Sequence, residues 1–236
     1  MGCHPQVTQQ NGKKLAAEAA VELIENGMWV GLGTGSTVYY AIEAIGRRIA
    51  EGLKIQCVCT SRETEKLAGE HGIPFVDINR AETLDIAIDG ADEVDDHFNL
   101  IKGGGGALFR EKMVASLARR FVIVVDASKR VQTLGKFKLP IEVAAFGHEH
   151  TARRIAALGC KTYLRHKDSV VYETDNHNYI YDCDFGAIQQ PAALHEQLKS
   201  LLGVVETGLF CNMANDVFWS DGEQVGHLVS DLAPLP

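Results

Sequence analysis

Short apolar runs alternate with stretches of helical periodicity through the first 130 residues. Apolar side chains at helical spacing predict helices over 15–24, 38–49, 61–72 and 107–120. Between them, short apolar runs predict strands over 28–32, 54–60, 74–78, 84–88 and 121–125. Strands that alternate with helices are typical of a mostly parallel sheet covered on both faces. We therefore predict an α/β fold with a Rossmann-like sheet.

The pattern changes after residues 135–140, GKFKLP, which are typical of a linker. Strands are predicted over 141–146, 161–165, 170–173, 179–183 and 204–207, and helices over 149–158 and 191–202. With 170–183 counted as one hairpin edge, the order β-α-β-β-α-β indicates a ferredoxin-like unit. Short runs at 217–219 and 225–229 are expected to return to the first sheet. We predict an α/β catalytic domain of residues 1–135 and 208–236, and a smaller α+β lid domain of residues 136–207.

The stretch 85–112 is dense in groups that can do chemistry. Asp89 and Asp92 follow an apolar run, at the predicted carboxyl end of a strand, where open α/β sheets bind their ligands. Four glycines, 103–106, then lead into the predicted helix 107–120. Because glycine lacks a Cβ, its N–H groups can approach a ligand closely, and a helix N-terminus favours negative charge. Glu111 falls in the first turns of that helix.

A second glycine loop, GTGST at 33–37, joins the first predicted strand to its helix. It lacks the third glycine of a dinucleotide fingerprint and the Gly-Lys of a Walker loop. The hydroxyls of Thr34, Ser36 and Thr37 lie beside backbone N–H groups, an arrangement that suits a phosphate monoester. A tight turn with Thr37 as the helix N-cap explains the same residues equally well.

Composition narrows the class of partner. A formal net charge of −8 argues against nucleic acid, and no apolar run approaches the roughly 20 residues of a membrane span. An anionic small molecule is still possible where lysines and helix N-termini supply local donors. The nine histidines show no metal-ligand spacing, so we expect neither metal nor cofactor. The six cysteines contain no CxxC pair, which favours reduced thiols in the cytoplasm: Cys3, Cys57, Cys59, Cys160, Cys183 and Cys211.

Seven short motifs, taken together and in this order, resemble ribose-5-phosphate isomerase type A. They are Gly-Thr-Gly-Ser-Thr (33–37), Thr-Ser-Arg-Glu-Thr-Glu-Lys-Leu (60–67), Asp-Gly-Ala-Asp-Glu (89–93), Lys-Gly-Gly-Gly (102–105), Arg-Glu-Lys (110–112), Asp-Ala-Ser-Lys (126–129) and Leu-Gly-Lys-Phe-x-Leu-Pro (134–140). The similarity runs from about residue 15 to at least residue 210. The chain departs from the family at Gly106, where many relatives have alanine, and at Phe109, where a small polar residue is common.

The resemblance implies a metal-independent aldose–ketose isomerase that interconverts ribose 5-phosphate and ribulose 5-phosphate in the non-oxidative pentose phosphate pathway. It also implies a parallel-sheet domain with a small α+β lid, and a homodimer or homotetramer. Glu111 matches the family's catalytic base. The implied substrate-binding residues are Thr34, Gly35, Ser36 and Thr37, then Asp89, Gly90, Ala91 and Asp92, then Lys102, Gly103, Gly104 and Gly105, and finally Lys129.

The chemistry assigns a role to each of these groups. The reaction needs a base that takes a proton from carbon 2 and returns it to carbon 1, with donors that hold the enediolate charge between the two transfers. Glu111 would be the base, and Lys102 with the glycine N–H groups would stabilise the enediolate oxygen. Asp89 and Asp92 would bind sugar hydroxyls and move the proton during ring opening. Ser36, Thr37 and Lys129 would take the phosphate.

Plainer explanations of the same side chains stay open. Glu111 could be a first-turn glutamate that stabilises its own helix dipole. Lys102 could be a solvated loop lysine, and Lys129 a surface charge. Asp89 and Asp92 could form a metal pair, although no histidine or further acid is placed to complete one.

Other functions compete with the isomerase. A sugar-phosphate sensor would need a DNA-binding module, but only about 25 residues precede the first predicted strand and they contain no basic recognition helix. A sugar-phosphate deaminase or lactonase would be expected to use a histidine near its base, and none lies between His97 and His148. A phosphate-binding structural subunit would leave Glu111 unexplained.

Overall fold

The structure is a computed structural model that describes residues 5–232, with side chains from residue 8 onward. The chain forms two compact units: a first unit of Met1–Ala91, Arg110–Arg130 and Asn212–Pro236, and a second unit of Asp92–Phe109 and Val131–Cys211. The predicted domain boundaries at 135/136 and 207/208 differ from these divisions and stay a prediction. Cys3 and the ends of the predicted catalytic domain, residues 1–4 and 233–236, lie outside the described residues.

The strands of the described chain are β1 (Trp29–Leu32), β2 (Gln56–Cys59), β3 (Ile86–Asp89), β4 (Glu93–Val94), β5 (Leu100–Ile101), β6 (Phe121–Asp126), β7 (Leu139–Val143), β8 (Lys161–Leu164), β9 (His166–Lys167), β10 (Val170–Val171), β11 (Tyr179–Asp184), β12 (Val204–Thr207), β13 (Leu209–Phe210), β14 (Asp216–Ser220) and β15 (Val225–Val229). Its α-helices are α1 (Pro5–Val21), α2 (Ser36–Ala50), α3 (Arg62–Glu70), α4 (Leu108–Leu117), α5 (His148–Ala156) and α6 (Pro191–Lys199). None of these helices is long and apolar enough to cross a membrane.

The first unit is organised around a six-stranded sheet with the order β15-β14-β6-β3-β1-β2. Every neighbouring pair is parallel except β14 with β15. The predicted return of the C-terminal segment to this sheet is therefore correct. A mostly parallel sheet alternating with helices confirms the predicted α/β fold class.

Helices cover both faces of this sheet. Side chains from one face, among them Val30 and Ile88, share a buried core with α1 and α2. On the other face α4 lies so close to β1 that a Cβ on Gly31 would sit 2.5 Å from Val114 and 2.8 Å from Ala87. Glycine at this position is what allows the helix to pack against the strand.

Three local predictions for the first unit were wrong. The run 74–78 forms only an isolated bridge between Phe75 and Cys57, because the chain then turns into the 3-10 helix Ile78–Arg80. Thr37 is not the N-cap of α2, since the cap is Gly35 and Thr37 is already the second helical residue. Helix α1 ends at Val21, ahead of the predicted 24.

The second unit contains a four-stranded antiparallel sheet with the order β12-β7-β11-β8. With α5 between β7 and β8, and α6 between β11 and β12, this order is that of a ferredoxin-like fold, as predicted. The strand predicted over 141–146 is shifted: β7 ends at Val143, and Phe146 is 98% exposed as the chain approaches the α5 N-cap at Gly147. The strand predicted over 170–173 is shorter, because β10 pairs with β9 in a separate hairpin.

A three-stranded sheet with the order β13-β5-β4 was absent from the sequence predictions. It explains why residues 92–109 group with the second unit, since β5 pairs with β13 as well as with β4. Asp95 closes the β4–β5 connection by accepting 2.9 Å hydrogen bonds from the N–H groups of His97 and Asn99.

Candidate active site

The two predicted loops of the first unit meet at the carboxyl edge of its sheet. Strand β1 lies between β2 and β3 in the sheet. The connection after β1 leads to one side, to β2, whereas the connection after β3 leads to the other side, toward β6. Such a switch point opens a crevice at the carboxyl ends of the strands. Asp89, only 2% exposed, accepts hydrogen bonds at its Oδ1 from the N–H of Thr34 (3.3 Å) and of Gly90 (2.7 Å). The structure therefore brings 34–37 and 89–91 together.

A buried cluster of hydroxyls holds the loop after β1 in place. The Thr34 Oγ1 lies 2.7 Å from Thr60 Oγ1, 2.8 Å from Ser61 Oγ and 3.0 Å from Thr64 Oγ1. Thr64 also donates to the carbonyl of Gly33 at 2.8 Å. The Thr34 hydroxyl is thus engaged by protein groups. The 60–67 motif, which carried no predicted role, supports the loop.

The first turn of α2 suits an anion. Its N-cap, Gly35, has a φ of 116° and gives no side-chain cap, and the helix begins at Ser36. Uncapped N–H groups at the start of a 15-residue helix attract negative charge. Lys13 of α1 donates from Nζ to Ser36 Oγ at 2.9 Å. The sequence predictions missed Lys13, because nothing in its own helix relates it to a loop more than 20 residues away.

Lys129 lies on the same edge of the central sheet. It ends the 3-10 turn Ala127–Lys129 that follows β6, the strand paired with β3. Asp126 caps this turn by accepting the N–H of Ser128 at 3.1 Å. Lys129 is half-buried. The capped turn fixes its backbone at the sheet edge where β3 ends at Asp89.

Glu111 lies in the first turn of α4 and is 4% exposed. A glutamate that served only the dipole of its own helix would be expected in solvent, because burial of a carboxylate opposes its ionisation. Its burial therefore favours a chemical role.

The remaining predicted residues belong to the second unit. Lys102 is 2% exposed, so the solvated-lysine explanation was wrong. Its N–H donates to the carbonyl of Gly208 at 2.8 Å, and its Nζ lies 5.5 Å from the centre of the Phe210 ring. Asp92 accepts the N–H of Gly104 at its Oδ2 at 2.7 Å. Gly104 and Gly105 are exposed, whereas Gly103 is buried.

Among the described residues, the candidate site side chains of neither unit belong to a cluster of potential metal ligands. Across residues 5–232 the structure contains no group of three or more His, Cys, Asp and Glu side chains that could hold a metal ion. Asp89 and Asp92 each accept backbone N–H groups.

Comparison with known proteins agrees with the motifs. The family model of ribose 5-phosphate isomerase A (phosphoriboisomerase A) matches residues 56–224. Ribose-5-phosphate isomerase A of Bacillus mycoides is 52% identical over 204 residues, covering 86% of this chain and 92% of the relative. The ribose 5-phosphate isomerase structure from Plasmodium falciparum has a TM-score of 0.90 at 38% identity, with 93% of this chain and 98% of that chain covered.

A further solved structure is a D-ribose-5-phosphate isomerase in complex with phospho-erythronic acid. Its TM-score is 0.89 at 37% identity, with 92% of this chain and 97% of that chain covered. The fold and these matches together define an α/β isomerase. The chain belongs to the ribose 5-phosphate isomerase A family.

Proposed function

We propose that this protein interconverts D-ribose 5-phosphate and D-ribulose 5-phosphate, as a step of the non-oxidative pentose phosphate pathway. Family membership over most of the chain supports the substrate. The observation that carries the proposal is the junction at Asp89, where two loops predicted to hold the substrate are hydrogen-bonded at the switch point of the sheet. We propose further that the residues matched to the family motifs act on this sugar.

Glu111 acts as the base in this proposal. Its carboxylate takes the proton from carbon 2 of the open-chain aldose. The electron pair of the broken C–H bond forms the C1–C2 double bond of an enediolate, and the aldehyde π pair moves to the oxygen on carbon 1. The protonated carboxyl then returns the proton to carbon 1, while the proton of the C2 hydroxyl passes to the oxygen on carbon 1 and the oxygen on carbon 2 becomes the ketone. One buried carboxylate serves both transfers at carbon.

Lys102 and the glycine run stabilise the negative oxygen of the enediolate. A buried ammonium group interacts more strongly with a developing charge than a solvated one does. Because the N–H of Gly104 is already donated to Asp92, we assign the enediolate contact to the N–H of Gly105 together with Lys102. Gly105 is exposed and precedes α4, where the helix N-terminus adds a favourable field.

The phosphate binds at the start of α2 in this proposal. Ser36 and Thr37 supply N–H groups and hydroxyls, and Lys129 and Lys13 supply positive charge. Asp89 contacts a sugar hydroxyl and moves a proton during ring opening. Asp92 orients the glycine run and binds a second hydroxyl.

Incubation of the purified protein with ribose 5-phosphate in heavy water tests the function and the intermediate together. The expected result is ribulose 5-phosphate that carries deuterium on carbon 1, because a carboxyl that holds the proton can exchange it with solvent. Absence of the ketose would reject the isomerase. If the ketose forms without deuterium on carbon 1, the proton was transferred without exchange with solvent, and the base would have to be shielded from water.

We also propose that the protein is a cytoplasmic homo-oligomer, a dimer or tetramer. Two large apolar side chains of the second unit, Phe146 and Leu202, are 98% and 83% exposed. The N–H of Ala144 donates to the carbonyl of Gly203 at 2.9 Å, which brings the two segments that carry these side chains together. Exposed apolar residues close together are typical of an interface. Sedimentation velocity of the full chain tests the proposal, and a monomer at micromolar concentration would contradict it.

A further inference from the structure

Arg165 of the second unit reaches the glycine run with its side chain. It follows β8 directly, and its N–H continues the ladder by donating to the carbonyl of Ile180 at 2.8 Å. From there Nη1 donates to the carbonyl of Gly103 at 2.8 Å and lies 3.4 Å from the carbonyl of Gly104. One guanidinium nitrogen therefore contacts two consecutive peptide groups of the run.

Asp182 fixes the orientation of this guanidinium. Its Oδ2 accepts from Arg165 Nε at 3.0 Å, and its Oδ1 accepts from Nη2, so the pair is a two-pronged ion pair. The two side chains are 14% and 24% exposed. Asp182 stands opposite Tyr163 in the β8–β11 register, which places it diagonal to Arg165 on one face of the sheet. A fork held in this way has little rotational freedom.

Tyr172 closes the other side of the run. Its ring lies 5.9 Å from Arg165 Cζ, and its N–H donates to the Arg165 carbonyl at 2.9 Å. A Cβ on Gly106 would lie 2.1 Å from the Tyr172 hydroxyl, and Gly106 has a φ of 83°. This contact is a structural reason for glycine at 106, where many members of the family have alanine.

Because peptide groups are planar, the contact of Arg165 with the carbonyl groups of the glycine run also orients the N–H groups of that run. The Gly103 carbonyl and the Gly104 N–H belong to one planar unit, held by Arg165 at the oxygen and by Asp92 at the nitrogen. The Gly104 carbonyl and the Gly105 N–H belong to the next unit. Glycine is the residue with the greatest backbone freedom, so a donor within a glycine run depends on outside contacts for its direction.

We propose that Arg165, oriented by Asp182, is a positioning residue for isomerisation: it holds the glycine run so that the Gly105 N–H faces the enediolate oxygen. The assignment rests on the proposed function. If the proposal is correct, loss of the guanidinium lowers kcat more than it changes KM. The reason is that the misplaced Gly105 N–H contacts the enediolate intermediate and not the phosphate.

Arg165→Ala is the direct test. We expect kcat to fall by roughly 10- to 100-fold, as for the partial loss of an oxyanion donor, with KM for ribose 5-phosphate within about threefold of wild type. A cavity of about 490 Å³ borders Gly104, Arg165 and Asp182, so a small cation can reach the vacated position. Guanidinium chloride at non-denaturing concentrations should restore part of kcat in this variant.

Two further variants separate positioning from folding. Asp182→Asn keeps the side-chain volume but weakens the anchor, and should lower kcat by a smaller factor. Arg120→Ala is the matched control, because it removes an equivalent fork to Asp216 in the first unit at 2.7 and 2.8 Å. Arg120→Ala should lower the thermal midpoint. Its kcat, and the response of kcat to guanidinium, should match those of the wild type.

The outcomes decide between the possibilities. An Arg165→Ala kcat within twofold of wild type would reject the proposal, and so would a loss of kcat that guanidinium does not restore in a folded protein. If Arg165→Ala does not fold, an unchanged kcat in Asp182→Asn rejects it. A wild-type protein without isomerase activity would reject the proposed function instead, which is a distinguishable result.

Discussion

The Asp89 Oδ1 lies 2.0 Å from the position that a Cβ on Gly33 would occupy. That space is available only because residue 33 has no side chain, and it lets Asp89 reach the N–H of Thr34. The close approach joins the loop after β1 to the end of β3. Any side chain at 33 would have to displace a buried carboxylate.

Gly33→Ala is therefore expected to separate the two loops. We predict a loss of at least about tenfold in kcat/KM, because displacement of positioned groups by an ångström is costly. Gly69→Ala is the matched control, since it lies in α3 with nothing within 4 Å of a new Cβ. The control should raise the free energy of unfolding by about 0.5–1 kcal/mol and leave activity unchanged. Normal activity in Gly33→Ala would show that the junction is unimportant.

Glu111→Gln removes the proposed base and keeps its shape. We expect kcat to fall by roughly 10²- to 10⁴-fold, the usual contribution of general-base catalysis, while circular dichroism and the thermal midpoint show a folded protein. Ketose formation from ribose 5-phosphate is the measurement. A kcat near that of wild type would leave Glu111 as a structural side chain and the base unidentified.

Lys129→Ala is expected to weaken phosphate binding. Loss of one charge-assisted contact corresponds to a rise in KM of roughly 10- to 100-fold, with a smaller change in kcat. Lys13→Ala should act in the same direction through Ser36. Lys66→Ala is the control, because its side chain is 80% exposed and its Nζ lies 3.9 Å from a carboxylate oxygen of Glu70, on the surface of α3. If KM is unchanged in Lys129→Ala, this lysine does not contact the phosphate.

Asp216 makes the stability of the first unit sensitive to acid. Burial raises its pKa, but the hydrogen bonds from Arg120 and His227 outweigh burial and hold the pKa below the ordinary value of 3.8. The folded state thus binds fewer protons than the unfolded state, so the stabilisation is complete above that value and is lost as pH falls through the folded pKa.

Asp216→Asn should accordingly reduce the free energy of unfolding near neutral pH by roughly 1–3 kcal/mol. The difference from wild type should shrink steadily below about pH 4, where the carboxylate becomes protonated first in the unfolded state and then, at lower pH, in the folded state. Urea denaturation across this range is the measurement. A difference that stays constant with pH would show that the carboxylate charge contributes nothing to the pair.

Exhaustive chelation should leave isomerase activity unchanged. The described part of the chain offers no cluster of three or more potential metal ligands, and the proposed chemistry uses a carboxylate, a lysine and an amide. Activity before and after dialysis against a chelator is the measurement. A loss that a divalent ion restores would contradict the metal-independent mechanism.

Local pattern was sufficient for the elements that carry the site. The order of strand, glycine loop and helix around 28–49, and the strand that ends at Asp89, follow from apolar periodicity and from the turn chemistry of glycine. The ferredoxin-like order of the second unit is also readable, because each of its main elements shows its own period. The roles of Glu111 and Lys129 came only from the family motifs.

What local pattern does not contain is pairing between distant segments. Strands β4, β5 and β13 are two residues each, too short to show alternation, and they become strands because Leu209 pairs with Ile101 across more than 100 positions. The 74–78 run looks like a strand, but its pairing is limited to the single bridge between Phe75 and Cys57. Pairing partners, and with them the grouping of 92–109, belong to the tertiary fold.

The sequence by itself determined the family, the fold class and the residue types available for chemistry, since these depend on motif order and periodicity. Only the tertiary structure decided which of those groups are buried and what holds them. It removed Lys102 from solvent, committed one Asp89 oxygen to two N–H groups, and placed Arg165 against Gly103 from 62 residues away. Burial and hydrogen-bond partners are set by contacts between distant segments, which no short stretch of sequence specifies.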